Sequence, residues 1–308
     1  MLSIFHLRLS PIVAAASKRS RRAFALAVAL LAVAACNGSD VTSSSPAAAA
    51  SYANVAYGTN AAQVMDIVLP AGRSSATATV VMIHGGGWSG GDKSIFTAYD
   101  IAKFTARGYA VANINYRLAS NAANVHDPVM SNDVSAALAF LTAHASEYRI
   151  RAGAFGLVGH SAGAHLALLA GYKNDPSHTV KVIASLSGPT DLNDATFLAI
   201  PTIRQTVEEY LGVTQAAQPV RWTSASPVSV VVAGAPPTIV VHGSLDVLVP
   251  LSQAQKLEAR LATLGVGHAN YINPLYNHDL GYAVVLHFPD DVWSPVLAFF
   301  DPLLRAAD

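Results

Sequence analysis

Short, largely apolar runs recur along the chain, separated by longer stretches whose apolar residues fall at helical spacing. The runs are Thr79–Ile83, Ala110–Ile114, Phe155-Gly156-Leu157-Val158, Val182–Leu186 and Thr238–Val241, and they do not alternate apolar with polar. Runs of that kind suit strands buried on both faces, as in a parallel sheet covered by helices. The intervening periodicity predicts helices near Phe96–Arg107, Val129–His144, Ala164–Ala170, Ser252–Leu264 and Val292–Leu304. Asn270–Ile272 predicts a last short strand. Val55–Tyr57 and Gln63–Leu69 predict an N-terminal hairpin around Gly58-Thr59-Asn60. Alternation of this kind argues an α/β fold with a mainly parallel sheet and helices on both faces. Between about residues 191 and 237 the pattern weakens. That stretch carries Phe197, Ile200, Tyr210, Leu211 and Trp222 and reads as a small lid insertion or one wall of a pocket. No internal repeat is visible.

Candidate chemistry sits where these strands end. Phe155–Val158 runs into Gly159-His160-Ser161-Ala162-Gly163, and a helical segment follows. Strand, Gly-x-Ser-x-Gly and helix together form a nucleophile elbow, in which a strained serine is tolerated because small residues flank it two positions away. The strand at Thr79–Ile83 ends in His84-Gly85-Gly86-Gly87-Trp88. Three consecutive glycines carry an entropic cost, which is explained if bare N–H groups must approach a ligand oxygen closely. Thr238–Val241 leads into His242-Gly243-Ser244-Leu245-Asp246, placing Asp246 on a loop at a strand's carboxyl end. Asn277-His278-Asp279 follows the last strand. Ser161, Asp246 and His278 then stand in the chain order Ser…Asp…His.

On these motifs the chain resembles the α/β-hydrolase esterases with an HGGGW oxyanion motif, within them the feruloyl-esterase-like and carboxylesterase branch. Kynurenine formamidases and hormone-sensitive-lipase-like esterases are neighbours. The resemblance runs from about Val55 to about Leu304 and includes Met65-Asp66-Ile67-Val68-Leu69-Pro70 and Asn115-Tyr116-Arg117-Leu118. It implies a serine hydrolase of small carboxylic esters, acetyl or feruloyl esters among them, with no metal and no organic cofactor. In that reading His278 takes the Ser161 proton as the oxygen attacks and returns it to the leaving alcohol. Asp246 fixes the imidazole's tautomer. The N–H groups of Gly86, Gly87 and Ala162 form the oxyanion hole, with Gly85 shaping the turn.

Competing assignments remain for several of these residues. Asp191 also follows a strand and competes with Asp246 as the orienting acid, and His287 competes with His278 as the base. His268 lies at the wrong end of the sheet. His160 cannot turn back onto Ser161 within so tight a turn, His165 suits an interior position, and His84 suits a brace for the glycine loop. Trp88 could border a substrate or pack in the core. An amidase or formamidase of the same fold is the alternative activity. A non-enzymatic surface-binding lipoprotein is a remote third.

Composition adds export to this picture. The chain has 308 residues, 52% hydrophobic and 12% charged, enough for one large domain. Its 19 basic and 19 acidic residues balance, but Arg8, Lys18, Arg19, Arg21 and Arg22 all precede Cys36 and no acid does. The remainder is mildly acidic, which argues against nucleic acid as a partner. Residues 1–35 read as a signal peptide, with Lys18-Arg19-Ser20-Arg21-Arg22 as its basic region and an apolar stretch from Ala23 that is too short to span a bilayer comfortably. Val33-Ala34-Ala35-Cys36 resembles a bacterial lipobox, and Cys36 is the sole cysteine. The expected product is an exported lipoprotein held at a membrane through lipidated Cys36, facing the periplasm or cell surface. Ordinary cleavage to a soluble secreted protein is the alternative. Residues 36–51, with their Ser, Ala and Pro, read as anchor and flexible tether, and residues 52–308 as the catalytic domain.

Overall fold

The computed structural model describes residues 46–305. The expectations for the signal segment and for Cys36 fall outside those residues. Eight strands form one sheet: β1 (Ala50–Ala56), β2 (Val64–Leu69), β3 (Thr79–Ile83), β4 (Ala110–Ile114), β5 (Phe155–His160), β6 (Val180–Leu186), β7 (Thr238–Gly243) and β8 (His268–Asn273). Their order is β1-β2-β4-β3-β5-β6-β7-β8. β1 and β2 pair antiparallel with each other, and β2 pairs antiparallel with β4; every later pairing is parallel. The expected hairpin is therefore present, but its first strand starts at Ala50, within the stretch read as tether. The Gly72 N–H donates to the Ala47 carbonyl, so the chain is tied to the sheet from there.

Among the described residues eleven α-helical segments accompany the strands, nine between strands and the last two after β8: α1 (Ala98–Thr105), α2 (Val129–Ala143), α3 (Ala145–Tyr148), α4 (Ala162–Tyr172), α5 (Ala195–Leu198), α6 (Pro201–Leu211), α7 (Pro219–Ser224), α8 (Pro227–Val230), α9 (Ser252–Thr263), α10 (Tyr282–Val285) and α11 (Asp290–Leu304). None of the helices among these residues is long and apolar enough to cross a membrane. The sheet separates two apolar clusters. Val81 and Ile83 of β3 pack on one face with Leu166 of α4 and Val134 of α2. Val80 and Met82 point the other way, toward Phe104 of α1 and Phe300 of α11. Every residue of β3, β4 and β5 is buried, which is why those strands read as unbroken apolar runs. α4 is apolar around its whole circumference for the same reason, being enclosed on all sides.

The link from β6 to β7 carries α5, α6, α7 and α8. Tyr210, Leu211 and Trp222 of this insertion are core residues, with the Trp222 indole N–H donating to the Val213 carbonyl. The three-residue 3-10 turn Lys93–Ile95 leads into α1. A buried carboxylate, Asp100, accepts from the Thr97 N–H, the Phe288 N–H and the Trp293 indole N–H. It thereby ties the start of α1 to the segment that follows His278.

Candidate active site

β5 turns into α4 at Ser161, whose backbone has φ of 52° and ψ of −120°. This left-handed, strained conformation pushes the side chain out of the turn. The turn closes only because its neighbours lack side chains. A Cβ on Gly159 would lie 2.2 Å from the Gly163 carbonyl oxygen, and one on Gly163 would lie 2.0 Å from that of Ile83. The Ser161 N–H is satisfied by the Leu186 carbonyl of the neighbouring strand at 2.8 Å.

Three side chains from separate loops meet at that point. His278 Nε2 lies 2.9 Å from Ser161 Oγ, and His278 Nδ1 lies 2.8 Å from Asp246 Oδ2. A carboxylate only accepts, so Nδ1 carries the proton and Nε2 is left as the acceptor for the serine hydroxyl. In that arrangement the imidazole can take the serine proton during attack. The Asp246 carboxylate is buried and its Oδ1 accepts from the Leu248 and Val249 N–H groups at 2.9 and 2.8 Å. Burial alone would raise its pKa. The neighbouring His242 and His278 imidazoles and the Val249 N–H overcome that and hold the carboxyl well below the usual range.

The glycine loop faces the same serine. Gly86 (φ 116°), Gly87 and Ala162 line the pocket beside Ser161, and Ala162 opens α4, where a backbone N–H has no partner within the helix. Beneath the loop, His84 stacks on Tyr116 with ring centroids 4.3 Å apart, and its Nδ1 donates to the Gly85 carbonyl at 2.7 Å. Burial lowers the His84 pKa, so it is a neutral brace. Trp88 adopts φ of 61°, stacks on Tyr210 and donates its indole N–H to His165 Nδ1 at 3.2 Å. It both packs in the core and lines the pocket. His165 Nε2 in turn donates to the Ala225 carbonyl at 2.8 Å. Burial pushes the His165 pKa down to about 4.

The pocket at Ser161 measures about 290 Å³. Ile95, Trp88, Phe197, Ile203, Leu248 and Val249 give it apolar walls. Phe197 and Ile203 come from the insertion, which thus supplies one side.

The competing residues lie elsewhere. Asp191 pairs with Lys256 at 2.7 Å, and His287 stacks on Tyr99. His268 begins β8, at the far end of the sheet. Two contributors escaped sequence reasoning. His160 Nε2 donates to the His278 carbonyl at 3.1 Å, bracing the loop that carries His278, and burial lowers its pKa to about 4. His242 packs its ring against Asp246, with Nε2 3.3 Å from Oδ2. Both residues stand beside recognised motif residues, but adjacency in sequence does not reveal which way a ring points. Among the described residues no group of three or more His, Cys, Asp or Glu side chains could hold a metal ion.

The chain is similar to several known proteins. Esterase LipC of Mycobacterium tuberculosis is 27% identical over 240 residues, covering 71% of this chain and 57% of LipC. The chain spans roughly half the length of the curated relatives it matches. A truncated carbohydrate esterase from gut microbiota superposes with a TM-score of 0.71 at 23% identity, covering 83% of this chain and 97% of that one. The acetyl ester-xyloside bifunctional hydrolase of Caldicellulosiruptor lactoaceticus gives 0.65 at 20% identity, covering 79% and 90%. At such identities the superpositions establish a shared fold. Residues 65–261, which take in the glycine loop, Ser161 and Asp246, match the BD-FAE family, and it is to this family that the chain belongs.

Proposed function

We propose that this chain is a serine hydrolase of small carboxylic esters that works through an acyl-enzyme on Ser161. The observation that carries the reading is the unbroken relay from Ser161 Oγ through His278 to the buried Asp246, opening into an apolar pocket of about 290 Å³. Ser161 Oγ attacks the ester carbonyl as His278 Nε2 takes its proton. The negative charge that develops on the carbonyl oxygen falls to the N–H groups of Gly86, Gly87 and Ala162. His278 then protonates the departing alcohol, and water repeats the sequence on the acyl-enzyme. Apolar walls without a charged group beyond the triad suit acyl groups from acetyl to a compact aromatic such as feruloyl. Relatives named as esterases support the reading.

The test is hydrolysis of p-nitrophenyl esters from acetyl to dodecanoyl by the wild type and by Ser161→Ala, with a formanilide arm alongside. Serine-dependent turnover that peaks at short chains supports the proposal. Turnover confined to the formamide would replace it with an amidase.

Export as a lipoprotein anchored through Cys36 belongs to the same proposal, on the sequence of residues 18–36. Incorporation of a labelled fatty acid in the bacterial host, abolished by Cys36→Ala, tests it. An unlabelled protein in the culture medium would contradict it.

A further inference from the structure

Asp246 Oδ2 faces two imidazoles, and the relay uses only one. His278 Nδ1 lies 2.8 Å away, and His242 Nε2, at the end of β7, lies 3.3 Å away on the protein side. His242 is wholly buried. Its Nε2 is also 2.8 Å from the Val249 carbonyl, an oxygen that can only accept, so the ring's proton sits on Nε2. That N–H is hydrogen-bonded to the Val249 carbonyl, and the same positive edge of the ring lies against Asp246 Oδ2. Nδ1 is buried with no hydrogen-bond partner among the described residues. A second proton there would have no acceptor. The Val249 peptide closes the arrangement from its other side, because its N–H donates to Asp246 Oδ1.

We propose that His242 is a positioning residue for the reaction: its Nε2–H, fixed by the Val249 carbonyl, sets a positive edge against the Asp246 carboxylate, aims it at His278 and takes up part of its negative charge. The assignment rests on the proposed function of the same site. Removing the donor has two consequences. The carboxylate gains freedom to rotate away from His278. More of its charge is also directed at the imidazole, so the imidazolium is favoured and the acid limb of kcat/KM moves to higher pH. The titratable groups facing the pair are His278 itself, His242 and, from the end of β5, His160, whose ring centroid is 5.4 Å from that of His278. His160 is unchanged in the test.

The experiment compares His242→Leu with His242→Gln, whose terminal amide N–H falls where Nε2–H stood. For each variant the rate of Ser161 labelling by a fluorophosphonate is followed against pH, beside p-nitrophenyl acetate turnover. The phosphonate reports on the serine whichever ester the enzyme prefers. His242→Leu is expected to slow labelling and kcat by about ten- to a hundredfold, the range lost with outer partners of other functional residues. KM should stay within about twofold and the acid limb should rise. His242→Gln should recover most of the rate and the wild-type limb. In an Asp246→Asn background, His242→Leu should add little further loss, because it acts through that carboxylate.

Equal loss in Leu and Gln variants with an unmoved limb would overturn the assignment in favour of plain packing, as would wild-type rates in His242→Leu. A wild type that labels at Ser161 but cleaves no ester would refute the esterase reading while leaving His242 decided by labelling alone. A Ser161 that never labels would remove both.

Discussion

Lowering the pH from 7 to 5 should weaken the fold by a calculable amount, because two buried histidines are held neutral. His165 accepts from the Trp88 indole at Nδ1 and donates to the Ala225 carbonyl from Nε2, so protonation of Nδ1 would break the bond to Trp88. Its pKa falls from 6.5 to about 4 on burial, and that of His160 falls similarly, burial again the largest cause. Between those values the unfolded chain binds protons that the folded chain refuses. Stability is therefore complete above about pH 6.5 and declines as the pH drops toward 4. At 1.36 kcal/mol per pKa unit, each histidine accounts for about 2 kcal/mol between pH 7 and pH 5. The pair should remove roughly 4 kcal/mol of unfolding free energy. His84, shifted in the same direction, adds to this. Carboxylates hardly contribute in this interval, since unfolded Asp and Glu titrate mostly below it. Urea unfolding followed by tryptophan fluorescence at half-unit pH steps measures the slope. His165→Leu should be less stable at pH 7, with Trp88 and Ala225 left unpaired, yet its slope should fall by close to one proton. A stability that is flat or rising from pH 7 to pH 5, or a wild-type slope in His165→Leu, would refute the reasoning.

Gly163→Ala drives a Cβ to 2.0 Å from the Ile83 carbonyl oxygen and 2.4 Å from that of His84, so it should cost about 3 kcal/mol or more in denaturant unfolding or abolish soluble expression. Asp100→Ala strips the acceptor from the Thr97, Phe288 and Trp293 N–H groups and should cost about 3 kcal/mol, read as a lower melting temperature. Phe197→Ala deepens the pocket on the insertion side, so the best p-nitrophenyl ester should shift to a longer acyl chain; an unchanged chain-length profile would place the acyl group elsewhere.

Most of the fold was legible because its signals are local and physical. β3 and β4 match their apolar runs residue for residue, since strands buried on both faces admit little else. The elbow was legible because Gly159 and Gly163 are sterically required there. β6, β7 and β8 extend beyond the expected runs by one or two residues at an end. Polar residues such as Asn273 continue a ladder that hydropathy alone does not mark. The start of β1 was obscured because most of Ala50–Ala56 is exposed on an edge strand and shows no buried face. The insertion was legible as a break in pattern, but its division into core residues (Trp222, Tyr210) and pocket wall (Phe197, Ile203) depends on how short helices fold back. The parts of His160 and His242 were hidden for a related reason. Both sit at strand ends, and only the packed structure shows that one ring reaches the His278 carbonyl and the other the Asp246 carboxylate.

The central claim is that Ser161 carries the acyl group, and intact-protein mass spectrometry tests it most directly. The protein is mixed with p-nitrophenyl acetate, quenched in acid within the first turnovers and mapped by peptide. The account predicts one acetyl adduct on the peptide containing Ser161, no adduct in Ser161→Ala, and a loss of turnover of at least about a thousandfold in that variant. Turnover surviving in Ser161→Ala, or an adduct mapping to another residue, would contradict it.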